Sequence, residues 1–189
     1  MAQLLGETTD ANNYSRQMNK VKEGYNRCWN GYAYRHPEYN DCTDDRVQAL
    51  AVVSGIAEQD KYPYIIDLFK KQFYASPYME KYVMEALFVM GEGKYAMERM
   101  QKRFAPMVNH PFYTTLFEGW DIGPNGFGGG TVNHAWSGGP LIVIARYVCG
   151  IEPLDAAYKT FRIAPDDTYL HQAAITIPVS YTHLTLPTK

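Results

Sequence analysis

Helical segments of two kinds alternate along this chain, and this alternation restricts the possible folds more than any other feature. Residues 44–57 and 141–149 are apolar almost all the way round, which predicts helices buried on more than one side. Residues 62–73 and 97–104 carry one apolar stripe each, which predicts helices with a single buried face. A succession of buried and amphipathic helices is typical of stacked αα-hairpins. We therefore expect a mainly α fold.

Two further helices fit the same pattern. Residues 14–25 place Tyr or aliphatic side chains at i, i+4, i+7 and i+11, which is one stripe of an amphipathic helix. Ser76 and Pro77 combine a capping residue with proline at the first helical position, so a helix is predicted to begin there. Gly91 is expected to end it.

The hairpins predict that residues 1–150 form about half of a six-hairpin (α/α) toroid. An open solenoid is the alternative, but the repeats share no sequence motif, which favours the toroid. A shorter signal lies at Asn30-Gly31, which stands between aromatic residues and predicts a hairpin turn.

Beyond Gly150 the pattern changes. Apolar and polar residues alternate at 158–163 and 174–177, which predicts the first strands of a β-domain over residues 151–179. Residues 180–189 continue no earlier pattern, and we expect them to be a non-native tail.

Composition excludes several classes of function. The chain has 18 basic and 20 acidic residues and a formal net charge of -2, so it offers no basic face for nucleic acid. Its three cysteines lack a C-x-x-C spacing, which argues against a zinc knuckle and a disulfide scaffold. No apolar run reaches membrane-spanning length, so no membrane partner is expected.

Chemistry-bearing residues are concentrated between residues 114 and 140, TTLFEGWDIGPNGFGGGTVNHAWSGGP, which contain eight of the fifteen glycines. Glycine-rich loops are costly to order and tend to lie where backbone approaches a ligand. The G-G-G run follows no strand and lacks the G-K-[ST] ending of a P-loop, so we exclude nucleotide binding. A carboxylate, an imidazole and indoles predict a sugar site made of Glu118, Trp120, Asp121, His134 and Trp136.

Four segments carry a resemblance to a known family: TDDRVQALAVVSGIA, ASPYMEKYVMEALFVMGEGKYAMERMQKRF, TTLFEGW and GGGTVNHAWSGGPL. They resemble the C-terminal half of the catalytic domain of α-L-rhamnosidases of glycoside hydrolase family 78, in particular its Bacteroidetes-type members. The resemblance spans roughly residues 25–177. It implies half of an (α/α)6 barrel followed by the start of a β-sandwich domain, which agrees with the helix alternation.

The resemblance also implies an activity, the hydrolysis of terminal α-L-rhamnosides with inversion. Glu118 matches the family's general base, in a motif where Phe117 replaces the more usual tryptophan. His134 matches a histidine that binds the sugar. Trp120, Trp136 and Asp121 are predicted to line the substrate pocket from their chemistry rather than from a motif. No cofactor and no metal is implied.

The family's general acid lies in a D-E-R-x-G-W-like motif that nothing in this sequence matches, since Asp44-Asp45-Arg46 aligns with a later part of the family. We therefore expect the rest of the same barrel, its N-terminal half, to be a partner of this chain. A rhamnose-containing oligosaccharide or polysaccharide is the expected substrate. The isolated chain should not turn over, and the parent protein would be periplasmic or secreted in a bacterium.

Other interpretations stay open at this stage. Glu118 could be a loop carboxylate paired with an arginine, and the two tryptophans could be core residues. Glu80 could serve the pocket or only complement a helix dipole, while Glu85 and the charges at 98–103 are expected on solvated faces. Two functional alternatives are a non-catalytic carbohydrate-binding barrel and a six-hairpin hydrolase or lyase acting on uronic-acid polysaccharide.

Overall fold

A computed structural model describes residues 1–121, 130–166, 172–178 and 183–187 of the chain. About half of these residues are helical, and the strands are few and short, so the predicted mainly α class is confirmed. The chain divides into two compact units, residues 1–73 and residues 74–189. No helix in the described part of the chain is both long enough and apolar enough to cross a membrane.

The first unit contains three α-helices: α1 (Thr8–Asn26), α2 (Asp45–Val53) and α3 (Tyr62–Lys71). The Asp44 carboxylate caps α2 by accepting a hydrogen bond from the Arg46 N–H at 2.8 Å. The buried side chains of this unit come from α2, α3 and the turn that precedes α2, and they include Tyr34, Ala49, Ile65, Leu68 and Phe69.

The predicted turn at Asn30-Gly31 is present, but it joins no extended strands. Gly31 has a φ of +94°, in the left-handed region that glycine adopts without strain. A single bridge pairs Trp29 with Tyr34. The hairpin does not continue because the buried Gln48 side chain occupies the hydrogen-bonding groups of the Tyr34 backbone. Gln48 accepts a hydrogen bond from the Tyr34 N–H and donates one to the Tyr34 carbonyl, both at 2.8 Å.

Helix α1 confirms the predicted helix, but its apolar stripe is not covered within this unit. Tyr14, Met18 and Val21 are each about 60% exposed, and α1 contains no buried residue. Only its C-terminal end is held, where the Tyr25 hydroxyl donates to the Val47 carbonyl at 3.3 Å.

The second unit contains α4 (Pro77–Val89), α5 (Gly93–Val108) and the short α6 (Gly139–Val143). Helix α4 packs against both of the others. It begins as predicted, since the Ser76 hydroxyl accepts a hydrogen bond from the Met79 N–H at 3.3 Å and Pro77 occupies the first turn. Gly91 follows the helix with a φ of +82°.

The expectation that Glu85 and the charges at 98–103 are solvated is wrong for Glu85, Arg99 and Arg103. Arg99 is 2% exposed and Glu85 is 8% exposed. Arg99 and Arg103 both donate to the fully buried Glu80 carboxylate. The spacing of apolar residues along a helix predicts that every charged residue faces solvent. Here, opposite charges on α4 and α5 neutralise each other inside the interface between the two helices.

The helix predicted over residues 141–149 departs from expectation in shape and burial. Helix α6 ends at Val143, and residues 144–148 continue as one turn of π-helix. Leu141 is 69% exposed and Ile142 is 56% exposed, so this segment is not buried on all sides. One face of the segment packs against α4, and the described residues of this unit include no element that covers the opposite face.

Two antiparallel strand pairs follow Gly150. Strand β1 (Ile151–Pro153) pairs with β2 (Phe161–Ile163), and β3 (Ala174–Pro178) pairs with β4 (His183–Pro187). The strand predicted from residue 158 begins only at Phe161, because Ala157 and Tyr158 have φ values of +58° and +55° and interrupt the extended backbone. Strand β4 lies in the stretch predicted to be non-native.

Candidate functional site

Two segments of the second unit run side by side and form the candidate site. The Glu118 N–H donates to the Thr131 carbonyl and the His134 N–H donates to the Leu116 carbonyl, both at 2.9 Å. The Thr115 hydroxyl also donates to the Val132 carbonyl. Residues 115–118 and 131–134 are therefore held in a fixed register by backbone contacts.

The pair of segments is anchored on the core of the second unit. Phe117 is 3% exposed and packs with Phe104 and Met107 of α5. Ser137 is fully buried, and its hydroxyl donates to the Phe117 carbonyl at 2.6 Å. Because α5 and Ser137 hold Phe117, the next residue along the chain, Glu118, has a defined position.

Glu118 itself is half-buried. Its Oε2 atom accepts hydrogen bonds from the Thr131 N–H at 3.1 Å and from the Thr131 hydroxyl at 3.4 Å. Among the residues that the structure describes, no cation pairs with this carboxylate, so the alternative of an arginine-paired loop carboxylate has no support there. The arrangement orients one carboxylate oxygen and leaves the other for a further hydrogen-bond partner.

His134 and Trp136 lie next to Glu118. The Trp136 indole N–H donates to the Glu118 carbonyl at 3.3 Å. The His134 and Trp136 rings are stacked with centroids 4.1 Å apart and an angle of 21° between their planes. The structure thus brings together three of the five residues that the sequence singled out.

Trp120 is placed differently. It is half-buried, and its ring contacts Phe104 edge-on at 5.0 Å, so it contributes to the core cluster. The indole N–H donates to the Ala75 carbonyl at 2.7 Å, and the Arg103 guanidinium lies over the ring at 4.2 Å. Asp121 is exposed. The glycine-rich part of the predicted loop, residues 122–129, lies outside the described residues.

Sequence reasoning missed Tyr78, whose ring lies 5.3 Å from that of Trp136. The position was obscured because Tyr78 belongs to a helix more than fifty residues away from Trp136 along the chain. One signal was available: the Ser76-Pro77 pair marks the start of α4, and residues at the start of such a helix can reach a neighbouring loop.

The described residues include no cluster of three or more histidine, cysteine or acidic side chains that could hold a metal ion.

The fold has relatives among solved structures. The chain is similar to a GH78 family rhamnosidase of Bacillus sp. GL1 over 97% of its length, with a TM-score of 0.81 and 21% identity. It is also similar to the native α-L-rhamnosidase of Aspergillus terreus over 98% of its length, with a TM-score of 0.76 and 18% identity. At these identities the likeness establishes the fold.

The chain spans about a fifth of those proteins, 21% of the Bacillus chain and 23% of the Aspergillus chain. No family model and no curated protein sequence matches it. The likeness is therefore one of fold, to a segment of those proteins, and by itself it assigns no activity to a residue of this chain.

Proposed function

We propose that this chain is part of an inverting glycoside hydrolase that removes terminal α-L-rhamnosyl groups, with Glu118 as the general base. The observation that carries the proposal is the position of Glu118, a half-buried carboxylate next to the His134–Trp136 stack. The likeness in fold to two rhamnosidases supports the choice of substrate class.

The geometry of Glu118 suits a base. Thr131 donates twice to Oε2, which fixes the carboxylate and leaves Oε1 to accept a proton from water. In an inverting hydrolase the base removes this proton as the water oxygen bonds to the anomeric carbon, while an acid protonates the departing oxygen. The two carboxyl groups lie roughly 6.5–9.5 Å apart in such enzymes. The acid would come from another part of the barrel.

The remaining site residues would hold the sugar. In this proposal His134 donates or accepts a hydrogen bond with a sugar hydroxyl, and Trp136 lies against the ring. Trp120 and Asp121 would border the pocket, Trp120 being held by the Ala75 carbonyl. The rival uronic-acid substrate would require a cation for its carboxylate. Arg103, the guanidinium nearest Trp120, already binds the buried Glu80 carboxylate.

The direct test uses the protein that joins this chain to the rest of its barrel. Hydrolysis of an aryl α-L-rhamnoside is measured for the wild type and for Glu118→Gln, which keeps the shape of the side chain. We expect kcat to fall by about 10³-fold, within the range for loss of a general base. Glu98→Gln, which alters an exposed carboxylate on α5, is the matched control and should keep wild-type kcat.

A second arm tests the stereochemistry and the base role together. Azide needs no deprotonation, so it should restore turnover of the Glu118→Ala variant and yield the β-L-rhamnosyl azide from an α-L-rhamnoside. Proton NMR of the first product identifies the anomer. Full activity of Glu118→Gln, or an azide product with the α configuration, would refute the proposed role.

A further inference from the structure

Tyr78 and Trp136 form one continuous aromatic surface that faces solvent. Their ring centroids are 5.3 Å apart, and the planes differ by 33°. Tyr78 is 40% exposed and Trp136 is 38% exposed. Each residue therefore leaves part of its ring accessible, and the accessible parts lie beside the candidate catalytic carboxylate, where a ligand could contact them.

Both rings are held in place from behind. Tyr78 belongs to the first turn of α4, which the Ser76 cap and Pro77 fix. The Tyr78 ring also meets Tyr82 edge-on at 5.9 Å. Trp136 is fixed by its hydrogen bond to the Glu118 carbonyl and by the stacked His134 ring. A ligand would therefore meet preformed rings and would not need to order them.

The ligand must present an apolar face to these rings and polar groups beside them. The Trp136 indole N–H donates to the Glu118 carbonyl. A polar residue that carries a carboxylate therefore lies directly beside the aromatic rings. A 6-deoxyhexose matches this arrangement because a methyl group replaces one hydroxymethyl group. Aromatic rings contact such apolar groups without an unpaired polar atom, whereas an added hydroxyl there would lose its water without gaining a partner.

We propose that the Tyr78–Trp136 surface binds the C6 methyl side of the terminal 6-deoxy sugar and selects it against the corresponding hexose. Tyr78 is thus a specificity-determining residue. This inference rests on the proposed function for the identity of the sugar, but it concerns recognition and not proton transfer. The relevant pair of ligands is L-rhamnose and L-mannose, which differ only by the C6 hydroxyl.

The test measures binding to the 189-residue chain by saturation-transfer NMR, with methyl α-L-rhamnopyranoside and methyl α-L-mannopyranoside as the probes. For the wild type we expect the strongest saturation at the C6 methyl protons and about tenfold weaker binding of the mannoside, the low end of the discrimination that one small group provides. Tyr78→Ala should weaken binding of the rhamnoside by about tenfold and bring the two affinities together.

Two variants separate recognition from folding. Tyr78→Phe keeps the ring and should bind as the wild type does. Tyr78→Leu keeps apolar volume without a flat face, so it should weaken binding of the rhamnoside, and it replaces Tyr78→Ala in this test if that variant does not fold. Tyr14→Ala, which removes a 64% exposed tyrosine from α1, is the matched control and should change neither affinity.

The outcomes also distinguish this inference from the proposed function. Rhamnoside binding that is the same in wild type, Tyr78→Ala and Tyr78→Leu overturns the inference, as does a folded wild-type chain that binds neither probe. Neither result touches hydrolysis that depends on Glu118. The converse result is also possible: binding could be methyl-selective while Glu118→Gln leaves hydrolysis unchanged. That result would support the recognition surface and refute Glu118 as the general base.

Discussion

Two glutamates of the second unit lie in contrasting surroundings. Glu80, on α4, is fully buried, and both of its carboxylate oxygens contact arginines, Arg99 and Arg103. Glu118, on the segment that follows α5, is half-buried, and its carboxylate accepts hydrogen bonds from Thr131 alone among the described residues. Both positions are defined, but one carboxylate is enclosed by positive charge and the other is held by neutral donors.

This difference separates a structural carboxylate from a candidate base. A carboxylate that neutralises two guanidiniums inside a helix contact cannot give up that role to bind a proton from water without leaving charge buried. A carboxylate held through one oxygen by neutral groups keeps an oxygen for chemistry. Changes at Glu80 should therefore affect folding, and changes at Glu118 should affect catalysis.

Glu80→Gln tests the structural side of the contrast and should have the largest effect on stability. The substitution keeps the size of the side chain but removes the negative charge that Arg99, which is 2% exposed, binds. Removing one partner of a buried ion pair typically costs about 3–5 kcal/mol. Urea unfolding of the chain, followed by circular dichroism, should show a loss of at least about 3 kcal/mol in the free energy of unfolding.

Glu118→Gln and Glu98→Gln are the matched controls for this measurement. Each removes a carboxylate that has no arginine partner among the described residues, and each should change the free energy of unfolding by less than about 1 kcal/mol. The contrast breaks down if Glu118→Gln destabilises the chain as much as Glu80→Gln does, because Glu118 would then be structural.

Ser137→Ala tests how the site is held, with an effect of intermediate size. The Ser137 hydroxyl donates to the Phe117 carbonyl at 2.6 Å from a fully buried position. Its loss leaves a buried carbonyl without this donor, at a cost of about 1–2 kcal/mol. Because Phe117 precedes Glu118, Glu118-dependent hydrolysis in the full-length protein should also weaken.

Ser54→Ala provides a close control for the serine experiment. Ser54 makes a hydrogen bond of the same length, 2.6 Å, to the Leu50 carbonyl, but it is exposed. Water replaces its hydroxyl, so the free energy of unfolding should change by less than about 0.5 kcal/mol. Equal losses in the two variants would show that burial of Ser137 does not matter.

Local signals in the sequence predicted the features that depend on neighbouring residues. The capping pair Ser76-Pro77 located the start of α4, and Gly91 located its end. These signals work because a cap or a left-handed glycine acts within one helical turn. The clustering of Glu118, His134 and Trp136 was also predictable, since a short loop and a family resemblance joined them.

Features that depend on pairing between distant segments were not predictable. The spacing of residues 98–103 gives no hint that Arg99 turns inward, because its partner Glu80 is nineteen residues away on another helix. The contact of Tyr78 with Trp136 was hidden for the same reason. The exposure of Leu141 was missed because periodicity shows only that a helix has apolar faces and not whether another element covers each one.

The smallest effect is expected at the other end of α4, where Glu85 accepts a hydrogen bond from the Tyr147 hydroxyl at 3.1 Å. Burial, followed by the nearby Glu85 charge, raises the pKa of Tyr147 to about 12. Tyrosine in the unfolded chain ionises near pH 10, so the unfolded state loses this proton first and stability falls as pH rises from about 10 to about 12.

Tyr147→Phe should lower the free energy of unfolding by about 1 kcal/mol at pH 7, where the wild-type hydrogen bond is intact. Its melting temperature should then fall less steeply than that of the wild type above pH 10, while the exposed-site control Tyr14→Phe should follow the wild type. Parallel curves for Tyr147→Phe and wild type would show that Glu85 contributes nothing to stability through this tyrosine, and its pairing with Arg146 would then be its remaining link to the segment after α6.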